Sequence, residues 1–213
     1  MWKPILIIIF LFAALYAGYW YLNRPEVTEF DPAPINTMKV PYQSYLADHF
    51  TKSYQIGYLN VVLSPRANYT VYGRILSRRR YSRGWESKIS QWDIVFGWGD
   101  AAELEKITDL EIRQSVRWYN YRISTKVPMT GHYVATHTSN NHLIPFTENV
   151  RRALLFLKQY DVVEMSGYLV DVHGTKGAQN VSWITSMSRE DTGDGACEIF
   201  LVKSIKVGGK VYK

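Results

Sequence analysis

The longest apolar run comes first: residues 5–22 carry no charge, begin Ile-Leu-Ile-Ile-Ile-Phe-Leu-Phe and end Tyr-Trp-Tyr-Leu. That is close to the roughly 20 helical residues that cross about 30 Å of hydrocarbon. Tyr16, Tyr19, Trp20 and Tyr21 fall where an interfacial aromatic belt belongs. Cutting after Ala17 or Gly18 would put Leu15 or Tyr16 at the third position before the cut, where a signal peptidase needs a small residue. An uncleaved anchor is therefore expected. Residues 1–4 read as a cytoplasmic tail, 5–22 as the span, and 23–41, with Pro25, Pro32, Pro34 and Pro41, as an extended tether lifting the body off the bilayer. Residues 42–213 read as one extracytoplasmic domain.

Within that domain the dominant period is two. Strands are expected over 54–63, closed by turn chemistry at Pro65 and Asn68, and over 69–77 around Gly73. Others are expected over 111–124, 162–172 around Gly167, 181–187 and 196–207. An interior glycine suggests a bend or bulge in a long strand. Helical signals are few. Ser90-Gln-Trp-Asp93 has capping-box spacing and predicts a short helix over 94–96 that stops at Gly97. Thr147 should cap a helix over 148–158, with Glu148 in its first turn, Lys158 in its last and Val150, Leu154 and Leu157 on one stripe. The expected fold class is mainly β (α+β): a small curved sheet or partly open OB-like barrel with one or two helices, behind an N-terminal transmembrane helix.

Composition sharpens this in two places. A net charge of +6 implies attraction to something anionic. A single cysteine excludes an intrachain disulfide and any thiolate metal cluster of the paired-cysteine kind.

Four groups of residues could carry chemistry. Arg78, Arg79, Arg80 and Arg83, interleaved with Tyr81 and Trp85, could grip anionic head groups or envelope polymer, or be a solvated hairpin tip. His132, His137 and His142, spaced by five, could meet on zinc if residues 137–142 form a polar turn, but no carboxylate lies in that loop. A structural role for these rings is preferred, and no metal or cofactor is expected. Cys197 could act as a nucleophile with His142 as base, Asn141, His137 or Asp191 as orienter and Arg189 favouring thiolate. Against this, Cys197, Ile199 and Leu201 alternate along an apolar strand, which points the sulfur inward. The loop 189–195, with three carboxylates and two glycines, misses the EF-hand spacing and reads as a charged turn.

Asn141-His-Leu-Ile-Pro145, the glycine strand beginning at Asp161, Trp183 and Ser188-Arg-Glu-Asp-Thr-Gly-Asp-Gly-Ala-Cys-Glu198 together resemble a family of uncharacterised bacterial proteins with an N-terminal membrane segment. The likeness covers residues 69–202 and implies a shared domain and location, without a mechanism. A looser likeness is to the sortases, which also join an anchor, a β-barrel, a histidine and a late-strand cysteine. Their Thr-x-x-Cys or Thr-x-Thr-Cys strand is replaced here by Gly195-Ala196-Cys197, and only Lys203 and Lys206 follow where they carry arginine.

The leading expectation is a membrane-anchored envelope domain that binds a ligand or partner without catalysis. Its partner would be an anionic polymer, lipid head groups or another envelope protein; nucleic acid is not expected. The alternative is a cysteine-dependent transpeptidase or hydrolase using Cys197 with His142.

Overall fold

The computed structural model describes residues 2–47, 49–188 and 197–213. Helix α1 (Lys3–Asn23) is long and apolar enough to cross a membrane, and none of its apolar window is buried against the body. Strands β1 (Glu29–Phe30), β2 (Tyr42–Tyr45), β3 (Lys52–Ile56) and the long β4 (Leu59–Arg80) follow. After β5 (Trp92–Gly97) come α2 (Leu104–Ile107), a hairpin of β6 (Leu110–Ser115) and β7 (Trp118–Ile123), and α3 (Gly131–His137). The chain ends with β8 (Thr138–Pro145), α4 (Glu148–Phe156), β9 (Val162–Lys176), β10 (Gln179–Trp183), β11 (Glu198–Val207) and β12 (Lys210–Tyr212).

Five of these strands close a ring. β4 pairs with β5, β5 with β8, β8 with β11, β11 with β9, and β9 with β4 again. Every contact is antiparallel except β8–β11, which is parallel. Numbered along the chain, the ring strands run first, second, third, fifth, fourth, with α4 between third and fourth. The mainly β, α+β expectation holds. Alternate residues, among them Val71, Phe96, Leu143, Met165 and Phe200, fill the interior, and α4 adds Val150 and Leu154 to the same cluster, with Leu157 just past its end.

The 22-residue β4 serves two layers because it carries a bulge between Pro65 and Ala67. The additional residue, Arg66, shifts the alternation, so Leu59, Val61 and Leu63 pack with Val172, Ile199 and Leu201 in a second cluster outside the ring. Pro65 lacks an N–H, and a bulge is where a strand tolerates that. Arg66 pairs with the buried Asp171 carboxylate. Hence Pro65 and Asn68 do not end a strand, as their turn chemistry suggested; the turn falls at Gly57–Tyr58, between β3 and β4.

Three further expectations are corrected. Residues 92–97 are strand β5, not a helix: Ile94 and Phe96 enter the ring while Asp93 and Val95 face the other layer, a period of two that overrides the capping-box spacing. The single strand over 111–124 is a hairpin, because Val116 and Arg117 take left-handed φ of 50° and 69°. The polar turn expected at 137–142 is the end of α3 followed by the buried strand β8. By contrast, Thr147 caps α4 through Val150 N–H at 3.1 Å, as its position foretold.

The proline-rich stretch is fastened along the body. Asn149 exchanges side-chain hydrogen bonds with the backbone of Glu26 at 2.7 and 2.9 Å, β1 pairs with β12, and Gly99 N–H donates to Thr37 O at 2.8 Å. The Asp31 carboxylate accepts from Lys206, whose side chain is 8% exposed. This bond, then the Ala33 N–H, holds the Asp31 carboxyl below its ordinary value. A depressed carboxyl contributes stability above its unfolded value and loses it as pH falls through the folded one. The protection factor of the Asp31 amide, bonded to Gly209 O at 3.0 Å, should therefore fall only at acid pH, and should already be low at neutral pH in Asp31→Asn.

Candidate functional site

Two constellations stand out, one buried and one open. The buried one lies on the outer wall of the ring, where the β5–β8 register sets Asp93 opposite His142. Asp93 is fully buried, and its Oδ1 lies 3.0 Å from His142 Nδ1. The left-handed turn between β6 and β7 delivers Arg117 to the same oxygen at 2.6 Å, and Arg117 also donates to Ser90 O at 2.8 Å. The guanidinium supplies the charge that a buried carboxylate requires. Tyr81 lies beneath it, ring centroid 4.3 Å away, its hydroxyl accepting the Arg117 N–H at 3.1 Å; burial pushes the Tyr81 phenol up. Trp183 covers His142 at 4.7 Å and meets Trp85 edge-on. Asp93 Oδ2, Ser90 Oγ and His142 Nδ1 have no hydrogen-bond partner among the described residues.

Cys197 sits at the border of this cluster, half-buried at the entry to β11. The parallel register pairs Ile199 with His142, which places Cys197 two positions back along the neighbouring strand. Its Sγ lies 3.6 Å from Asn140 Nδ2 and 3.9 Å from Arg117 O. Asn140 also accepts from Gln114 Nε2 at 2.9 Å and donates to Arg117 O at 3.0 Å, so the sulfur borders a polar seam that fastens the hairpin to the ring. The carboxylate beside His142 is Asp93, at 3.0 Å, a residue that the sequence did not offer for that position.

The other candidates disperse. Asn141 is fully buried and donates to Ser139 Oγ at 2.7 Å. His137 closes α3, stacked on Tyr133 at 3.7 Å with Nδ1 3.0 Å from Tyr133 O, and His132 is exposed on the same helix. The histidine loop does not form; no metal-binding group of three His, Cys, Asp or Glu exists among the described residues. Arg189 and Asp191, with the charged turn, lie outside those residues.

The arginine run is largely occupied. Arg78 donates to Leu157 O and to Leu154 O, closing the C-terminal turn of α4, and stacks on Trp92 at 4.0 Å. Burial pulls its guanidinium down from the ordinary value. Arg79 donates to Gln114 O at 2.6 Å but is exposed, as are Arg80 and Arg83. The run is thus strand and cap more than hairpin tip.

The open constellation is a groove of about 250 Å³ between β3, the β4–β5 loop and the first turn of α4. Its walls are Tyr54, Trp92 and Phe146, and Lys52, Lys88 and Arg151 stand around it against one carboxylate, Glu148. Lys52 Nζ lies 4.3 Å from the centre of the Phe146 ring and 5.6 Å from that of Tyr54. The Tyr54 hydroxyl donates to Pro145 O at 3.3 Å, and burial pushes that phenol up to about 12, so it stays a donor at any physiological pH. Arg151 and Arg152 share Glu148, at 2.6 and 3.2 Å.

Sequence reasoning missed Asp93 and Arg117 in the cluster, and Lys52, Tyr54, Lys88 and Arg151 in the groove. Asp93 had one visible signal: a lone acid between Trp92 and Ile94 in an apolar run must be paired if the run is a strand. Comparison with protein-family models, curated proteins and solved structures returns no match for this chain.

Proposed function

We propose that this is a single-pass membrane protein of the bacterial cell envelope whose body binds an anionic ligand without transforming it. On this reading α1 lies in the cytoplasmic membrane and residues 24–213 face the periplasm. The ring's strand order is that of an OB-type barrel, a fold that takes ligands along its second and third strands and the loops beside them. The observation that carries the reading is the groove. It joins aromatic walls to three cations at that flank of the ring, β5, β8 and the β4–β5 loop, whereas Arg78, Arg79 and Arg117 are spent on internal acceptors.

The test is equilibrium binding of the full chain, in detergent, to a soluble polyanion of envelope type. Reversing both groove lysines (Lys52→Glu with Lys88→Glu) should weaken binding by about tenfold or more, roughly 1.4 kcal/mol per decade, and flatten its salt dependence. Binding that ignores both salt and the double variant would reject the groove.

The second reading keeps Cys197 as a nucleophile with His142 as base. What favours it is Asp93 Oδ1 at 3.0 Å from His142 Nδ1, a carboxylate beside an imidazole as in a triad, although the two do not make a hydrogen bond in this geometry. The non-catalytic reading expects the thiol of the folded chain to react with iodoacetamide at neutral pH no faster than a free cysteine. Rapid labelling that Asp93→Asn and His142→Gln both slow would reverse the order of the two readings.

A further inference from the structure

The groove has one end at the membrane. The first turn of α4 lines the groove, and Phe156 at the other end of the same helix meets Trp20 of α1 edge-on at 6.1 Å. Tyr19 and Trp20 belong to the aromatic end of the apolar span, and such rings settle at the head-group level of a bilayer. Asn149 holds the backbone of Glu26, three positions past the last residue of α1. Three residues of extended chain reach about 10 Å at most, so the first turn of α4 cannot stand far from the bilayer surface. The polar layer on each face of a bilayer is itself about 5–7 Å deep.

Size and charge narrow the occupant further. A space of about 250 Å³ suits one head-group-sized moiety, not a run of sugar rings. Lys52 and Lys88 supply donors without acceptors, and Glu148 is already divided between Arg151 and Arg152. Tyr54 and Phe146 give the apolar flank that a glycerol backbone needs.

We infer that the groove seats the head group of an anionic phospholipid from the bilayer that α1 spans, its phosphodiester against Lys52 and Lys88 and its acyl chains left in the leaflet beside Trp20. This rests on the reading of the groove as an anion site and names its ligand. Such a lipid would dock the body flat on the membrane and orient it about the span.

The experiment uses the full chain in nanodiscs of phosphatidylcholine with or without phosphatidylglycerol, read by native mass spectrometry of retained lipid and by amide exchange at residues 52–56, 88–92 and 146–151. The expected result is phosphatidylglycerol retained about tenfold over phosphatidylcholine, protection of those segments only in its presence, and loss of both in the Lys52→Glu/Lys88→Glu chain. Arg113→Glu, on the exposed hairpin, should change neither. Equal retention of the two lipids overturns the inference. So does protection of the same segments by a soluble polyanion or glycerol phosphate without lipid preference, an outcome that leaves the anion site standing. No protection by any of these probes removes the anion site as well.

Discussion

Replacing Asp93 with alanine should cost about 3–5 kcal/mol of folding stability, the usual penalty for removing one partner of a buried ion pair. Asp93 has no exposed surface, and its Oδ1 receives Arg117 while lying beside His142 Nδ1. Without it the Arg117 guanidinium, 17% exposed, keeps only Ser90 O and the aromatic faces of Tyr81 and Trp183. The β6–β7 hairpin then keeps the bonds of Gln114, Asn140 and Tyr119 and the Arg117 N–H to Tyr81 Oη, but loses its ion pair. Urea denaturation of the full chain in detergent measures the loss. Because the penalty comes from an orphaned charge, Asp93→Ala combined with Arg117→Met should recover more than half of it, and simple additivity would contradict the pairing. Against a total of about 5–15 kcal/mol for an ordinary domain, the single variant loses a fifth or more of its stability.

Gly167→Ala should be nearly as severe, at about 3 kcal/mol, although it adds one methyl group. The glycine lies in β9 opposite Val202 of β11, and a Cβ there would press into the carbonyl oxygen and carbon of Leu201 and the amide of Lys203. These are backbone atoms that cannot rotate away. The β9–β11 pairing is the seam that closes the ring, so relief means opening it where β11 already carries an irregularity between Val202 and Ser204. Gly73→Ala should be milder, since its Cβ would meet a single carbonyl, Gly97 O, at 2.8 Å. Thermal unfolding of the two variants side by side tests the ranking.

These glycines show where sequence reasoning reached and where it stopped. Their position inside long β-rich stretches was visible and rightly suggested a curved sheet. It could not be known that they serve close approach between neighbouring strands while the bulges fall at Pro65–Ala67 and Ile75–Ser77. The Thr147 cap and the stripe of α4 were legible because both are local. Strand β5 was misread because a spacing of three between Ser90 and Asp93 carries less free energy than burying Ile94 and Phe96 in the ring. The hairpin was missed because Val116 and Arg117 are not the residues that favour left-handed φ. Arg117 is held there by Asp93, a partner distant in the sequence. The candidate site followed the same rule. His142 and Cys197 were found by residue type, but their setting depends on which strand lies beside which, and the parallel β8–β11 contact is invisible in a linear pattern. The groove draws on three separate stretches of chain, so no window of sequence contains it.

The most direct test is amide-exchange mapping of the full chain with and without a soluble anionic envelope ligand. Binding in the groove predicts slowed exchange at residues 52–56, 88–92 and 146–151, with no change around Arg117, His142 and Trp183. Slowed exchange confined to the latter three, or to the start of β11 beside Cys197, would contradict the account and move the functional site to the buried wall.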